Sequence, residues 1–368
     1  MFKRPRTDGP RYPTLHMLTP AQREVAAASV AFEPASVDDP IISTLSTPDF
    51  DPVHLAESTP HPLDVRVTFE EDTHTYGVQF EEGGPFETAG IISTSGFVHG
   101  YFGHFDADVV IPKMRRGRNF KDSKYKDMTD AEIKAGWEAN GERASRRGTL
   151  LHFLLECHMN GFDLETSIFA GLEDVQSYFK WRNDYFDPKG LVPFRTELRF
   201  SSGPELRLTG TADLLAIRDD HPGPEETGGL LELSLIDWKF SKGVKNENRF
   251  GKGTGPCAHL PDCNGAHYGL QQNIYRWFFE TYHQEWTWRG QQYTKVKIVD
   301  MHLAIFHRNH GPSGLFMPIE DLGDVVHNML NDRKQQISTS TPASTSLLRP
   351  TYYFSQTHQE DEEIISPL

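Results

Sequence analysis

Cysteine is nearly missing from this chain: three residues in 368. Three thiols cannot build an even disulfide framework, so the expected compartment is a reducing, intracellular one. Long apolar runs are also lacking. No stretch is long enough to cross a bilayer and no signal-peptide pattern is present, which leaves no membrane role to expect. Positive charge is in deficit, with 37 Lys and Arg against 52 Asp and Glu and a net charge of -15. That balance argues against a protein that coats nucleic acid over its whole surface, though a local basic groove remains compatible with it. Gly251-Lys252-Gly253-Thr254-Gly255 lacks the spacing of a phosphate loop, and nothing resembles a helicase motif. What is present, 37% hydrophobic residues, suffices for one sizeable core.

The composition divides the chain. Residues 1–63 are rich in Pro, Ser, Thr and Ala without sustained periodicity and read as a disordered arm; Lys3-Arg4-Pro5-Arg6 within it is either a nuclear-import signal or a solvated terminus. Residues 337–368, with Glu360-Asp361-Glu362-Glu363, read as a disordered acidic tail. Between them, residues 64–336 form the expected folded domain, with its core at about 144–310.

The stretch 230–240 is the most informative. Its alternation puts Leu231, Leu233, Leu235, Asp237 and Lys239 on one face of a strand. A carboxylate at the end of a leucine face is costly to desolvate without a compensating cation, so something positive is expected beside Asp237. Upstream, 205–217 is a second strand with one interior acid, Asp213, and the turn-rich segment 218–229 suits an antiparallel hairpin between the two. Two acids and a lysine on adjacent strands are either an ordinary ion pair or a hard-metal site able to activate water.

The other elements read in order. Residues 65–69 and 75–80 alternate as a hairpin, and Thr129 with Glu132 is a capping-box helix start carrying Ile133 and Trp137. A second helix is expected over 144–160, closed by Asn160-Gly161, with His152 and Glu156 on one face. A helix over 175–185, a strand over 192–200 and a helix over 268–283 that sets Gln271 and Tyr275 one turn apart follow, then a final strand over 296–306 and a last helix over 321–333. Arg115, Arg116 and Arg118 lie in a basic run with Phe120 and Tyr125, either a solvated loop or a nucleic-acid contact. Arg146 and Arg147 add charge near the start of the His152 helix, and Lys242, Lys245 and Lys252 fall in a flexible, substrate-side loop over 242–255. Cys257, His259, Cys263 and His267 lie within eleven residues and offer a zinc set without the usual paired framework.

Taken together, Gly148-Thr149 with His152 and Glu156, then Glu197, Gly210-Thr211-Ala212-Asp213, Asp237-Trp238-Lys239 and Gln271 with Tyr275 resemble the ordered motifs of the RecB-type branch of the PD-(D/E)XK nucleases. That branch includes phage and viral exonucleases, mitochondrial genome-maintenance exonuclease and recombination nucleases. The resemblance covers residues 65–333. It implies an α/β, restriction-endonuclease-like core: a mixed central sheet flanked by helices, here with an N-terminal β-hairpin extension.

The resemblance also implies a Mg2+ or Mn2+-dependent deoxyribonuclease, an exonuclease on single-stranded or processed DNA ends in replication, recombination or repair. His152, Asp213, Asp237 and the Trp238 backbone carbonyl would bind one or two ions, Lys239 would orient the attacking water, and Gln271 and Tyr275 would brace the site or hold DNA. Glu156 and Glu197 would support the site or a second ion. Some relatives carry an iron-sulfur cluster on four cysteines, which three cannot supply, so none is expected. The implied partners are DNA and a separate helicase or replication protein, in the nucleus or a viral replication compartment. The alternatives are a catalytically silent DNA-binding module of the same fold, or a structure-specific endonuclease.

Overall fold

Leucine alternation and helical periodicity resolve into a three-layer α/β/α arrangement in the computed structural model, which describes residues 47–70, 73–248 and 251–339. The helices are α1 (His54–Ser58), α2 (Leu63–Arg66), α3 (Thr94–His99), α4 (Ala107–Arg116), α5 (Asp130–Met159), α6 (Glu173–Trp181), α7 (Pro224–Thr227), α8 (Asn264–Thr281) and α9 (Gly323–Thr339). The strands are β1 (Val67–Glu70), β2 (Thr75–Val78), β3 (Ile92–Ser93), β4 (Leu191–Ser201), β5 (Leu208–Arg218), β6 (Leu230–Lys239), β7 (Trp286–Trp288), β8 (Gln291–Tyr293), β9 (Lys295–Ile305) and β10 (Leu315–Pro318).

The central sheet is mixed. It runs β10-β9-β6-β5-β3, with β4 also paired to β5. The expected hairpin between the two acid-bearing strands is present: β5 and β6 are antiparallel, while β6 and β9 are parallel. Leu231, Leu233 and Leu235 pack on one side with Leu270, Ile274 and Phe278 of α8. Ile236 and Trp238, one step out of phase, pack on the other with Leu151, Leu154 and Leu155 of α5 and Val175, Tyr178 and Trp181 of α6. The alternation in β6 therefore sorts its side chains between the two helical layers.

Several boundaries differ from the sequence reading, each for a local reason. The two helices expected around 129–160 are one helix of 30 residues, with the capping box on Thr129 and Glu132 and the close at Asn160 as read. Gly141 lies inside this helix, and an interior glycine costs only about 1 kcal/mol. Both flanking halves bury apolar faces, Ile133 and Trp137 against Ile111 of α4, and Leu151 to Leu155 against the sheet. Residues 296–306 are not the final strand, because β10 adds to the edge of β9. Part of the segment assigned to the arm is folded: Leu55 is buried and its N–H donates to Asn160 Oδ1 at 2.9 Å. Lys3 to Arg6 and the acidic run at 360–363 lie outside the described residues.

Arg147 is also placed differently from expectation. It is buried and ion-paired with Asp174 in the first turn of α6, so it ties two helices together instead of facing nucleic acid. Removing one partner of a buried pair strands the other, so Arg147→Ala should lower stability by about 3–5 kcal/mol in urea denaturation. Replacing both by apolar residues, as in Arg147→Met with Asp174→Leu, should recover most of that loss. A single variant as stable as the parent would contradict this role.

Candidate active site

The site begins with an edge of β5 that runs out of partners. One edge of β5 pairs with β4 from Leu191–Arg218 to Ser201–Thr209. The other edge must therefore serve both β6, at Leu214 to Ala216, and β3, at Leu208 and Thr209. Residues 210–213 lie between them with no strand neighbour on that side. Continuing the register past Leu214–Ile236 would set Asp213 opposite Asp237, and the ladder stops just short of this row. Trp238 N–H, which ladder continuation would have satisfied, donates instead to Asp213 Oδ2 at 2.8 Å. The carboxylate is thus fixed in the fork between the strands by a backbone hydrogen bond.

Asp237 occupies the other side of the fork. Its Oδ2 is 2.7 Å from Lys239 Nζ, and its Oδ1 accepts from Gln272 Nε2 at 3.0 Å. The positive partner that the leucine face required is Lys239, whose ammonium also lies 5.3 Å above the Tyr268 ring. Burial raises the Asp237 carboxyl, and the Asp213 charge adds to this while Lys239 opposes it. Burial likewise raises Asp213, with His152 and Lys239 opposing.

On β4, Glu197 stands opposite Asp213, between the pairs Thr196–Leu214 and Leu198–Ala212. Its φ is +43°, a left-handed conformation that non-glycine residues seldom adopt within a strand. The two strands change face at this row. Leu198, Phe200 and Ala212 belong to the α8 side, whereas Leu214 packs on the α5 side and Thr196 accepts from Asn160 at the end of α5. Such a swivel re-aims side chains, and it turns Glu197 toward His152. His152 Nδ1 lies 3.3 Å from Glu197 Oε1 and 3.8 Å from Asp213 Oδ2, and its Nε2 lies 2.9 Å from the Trp238 carbonyl oxygen.

Glu197, His152 and Asp213 offer donor atoms that all lie within 4.8 Å of one another, and among the described residues they form the one such group. Two carboxylates and an imidazole are a donor set suited to Mg2+ or Mn2+. Burial lowers the basicity of His152, but Asp213 and the hydrogen bond and charge of Glu197 outweigh it, pushing its pKa up to about 9. Imidazolium here stands where a divalent cation would serve the same two acids.

Several expected residues join this cluster and others do not. Gln271 and Tyr275 sit one turn apart, with Gln271 Nε2 donating to the Tyr275 hydroxyl at 2.9 Å. It is the neighbouring Gln272, not anticipated from the sequence, that reaches Asp237. The Tyr275 ring explains Gly210: a Cβ there would lie 3.0 Å from it and 2.9 Å from the Phe200 ring. Glu156 is one turn from His152 on α5. Cys257, Cys263 and His267 do not converge on a common point. Cys257 Sγ meets Met329 Sδ at 3.5 Å, Cys263 stands at the residue before α8 without a side-chain capping bond, and His267 pairs with Asp262 at 3.1 Å.

Of the cations, Arg115 is engaged with Asp130 and the Met128 carbonyl, bracing α4 against α5. Arg116, Arg118, Arg146, Lys242, Lys245 and Lys252 are exposed. The loop over 242–255 is less free than its composition suggested. Asn264 bridges Gly243 O and Lys245 N–H, and Asn248 bridges Asp262 O and Gly251 N–H. No protein-family model matches this chain, and no curated protein does either.

Burial and the Glu197 charge push the Glu156 carboxyl up to about 8, from an ordinary 4.5. The folded protein therefore holds a proton that the unfolded chain releases between these values, and stability falls as pH rises through that window. Glu156→Gln should relieve this in EDTA, raising stability by a few kcal/mol above pH 8 and by almost nothing near pH 4, as read from thermal denaturation. An equal effect at both pH values would contradict the burial of the charge.

Proposed function

We propose that this protein is a metal-dependent deoxyribonuclease of the PD-(D/E)XK kind, acting on single-stranded or processed DNA ends. The observation that carries the reading is the row at the fork of β5 and β6: Asp213 opposite Asp237, Lys239 on Asp237, and His152 and Glu197 drawn onto Asp213. Such a row concentrates negative charge in a buried place, which a protein without use for a cation would do better to fill with apolar side chains.

His152, Glu197 and Asp213, with Asp237 beside them, are the residues that would hold Mg2+ or Mn2+. The ion would supply Lewis-acid activation of water and neutralisation of charge at a phosphodiester. The remaining work falls to the chain. Lys239 has its ammonium fixed by Asp237 and by the Tyr268 ring, so it can donate to an incoming nucleophile and to charge growing on phosphate without reorganising. Gln272 holds the Asp237 carboxylate in one rotamer. Glu156 keeps a proton at its carboxyl near neutral pH, one turn from His152. The exposed cations of α4, α5 and the 242–255 loop provide the attraction for a polyanion that the chain's net charge of -15 opposes.

The test is cleavage of end-labelled single- and double-stranded DNA with Mg2+, Mn2+ or EDTA. Activity should require the metal, and Asp213→Asn, Asp237→Asn and Lys239→Ala should each lower it by about 10²-fold or more while circular dichroism stays unchanged. Parental rates from a verified-pure Asp237→Asn protein would overturn the assignment.

A further inference from the structure

The row next to Glu197 and Asp213 has features that the catalytic reading leaves unused. Arg199 on β4 pairs with Thr211 on β5. Two residues along a strand is about 7 Å, so this row lies beside the acidic one at roughly the scale of one nucleotide. Arg199 is exposed, and its charge and that of Glu197 both reach Glu156. Thr211 is not left to solvent either. The Tyr76 hydroxyl, delivered by the N-terminal hairpin, meets Thr211 Oγ1 at 3.1 Å.

The hairpin is built to hold that phenol in place. Phe69, across from Tyr76 in the β1–β2 register, packs on it with ring centroids 4.5 Å apart. The next residue, Gly77, leaves no space for a side chain, since a Cβ would stand 2.6 Å from Thr68 Oγ1. Either hydroxyl of this pair can be the donor, and with Thr211 donating the phenolic proton is left for a second acceptor. The half-buried ring also feels the charges of Glu197, Arg199 and Asp213, so it belongs to the same corner of the molecule.

We infer that Arg199 and Tyr76, set by Thr211, form a subsite for a phosphodiester next to the one cleaved. A guanidinium offers planar paired donors and a phenol one more, which together match the non-bridging oxygens of a phosphate. The N-terminal hairpin, a two-stranded sheet of its own, is then part of the substrate site. This inference rests on the nuclease reading, and it assigns positioning roles, not catalytic ones.

The experiment measures binding of a short single-stranded DNA by the Asp237→Asn protein with Ca2+, using oligonucleotides carrying one neutral methylphosphonate at successive positions. Arg199→Ala should weaken binding of the unmodified strand about tenfold and Tyr76→Phe about threefold. At one position the methylphosphonate should weaken binding to the Arg199 protein as much, and the two losses should not add. Mn2+ affinity of the parent carrying Arg199→Ala should stay within about twofold, which a purely charge-balancing arginine next to Glu197 would not allow. Additive losses at every position, or unchanged DNA affinity in both variants, would overturn the subsite. If Asp237→Asn leaves cleavage intact, or the parent does not bind DNA, the nuclease reading itself falls and the subsite falls with it.

Discussion

Burying carboxylates is the constraint on which this molecule is arranged. Asp213 and Asp237 are 7% and 2% exposed, at the point where β5 loses its neighbour. Unpaired charges there would be intolerable, and each surrounding feature answers that cost. Trp238 N–H satisfies Asp213, Lys239 and Gln272 satisfy Asp237, and His152 is held charged between Asp213 and Glu197. The open fork is what leaves backbone groups for those acids: a complete β5–β6 ladder would have spent them on one another. Fold and site thus share one cause, the early end of a strand pairing.

Glu197 shows what the arrangement demands of the backbone. A left-handed residue inside a strand is strained, by on the order of 1–3 kcal/mol, and persists only where packing on both sides enforces it. The enforcing contacts are visible: Thr196 is held by Asn160 at the end of α5, and Leu198 and Phe200 are locked into the α8 layer. The swivel between them brings a β4 carboxylate to a histidine of α5 that a regular strand would have left facing elsewhere.

Much of this was legible in the sequence, and the limits have physical origins. The period-2 run of Leu231, Leu233 and Leu235 announced both the strand and the face that needed a cation, and the turn chemistry of 218–229 announced the hairpin. The left-handed Glu197 could not be read, because no glycine or asparagine marks the position. Gln272 was passed over for Gln271 since neighbours on a helix differ by about 100° in direction, and only the packed rotation of α8 selects between them. Arg147 was misread for the same reason: it differs from exposed Arg146 by one helical step, and its partner Asp174 is 27 residues away. The capped helix start at Thr129 was readable, but the continuity of α5 through Gly141 depended on two separate apolar clusters that no local pattern joins.

The acids at the fork are proposed to hold a divalent cation. Manganese binding followed by electron paramagnetic resonance at pH 7.5, with proton release recorded in the same titration, tests it most directly. Saturable binding by the folded protein is expected, with release of the protons held by His152 and Glu156 as Mn2+ enters, and loss of that binding in Asp213→Asn. A folded, monodisperse protein that binds no Mn2+ at millimolar concentration, or binds it equally well with Asp213→Asn, would contradict it.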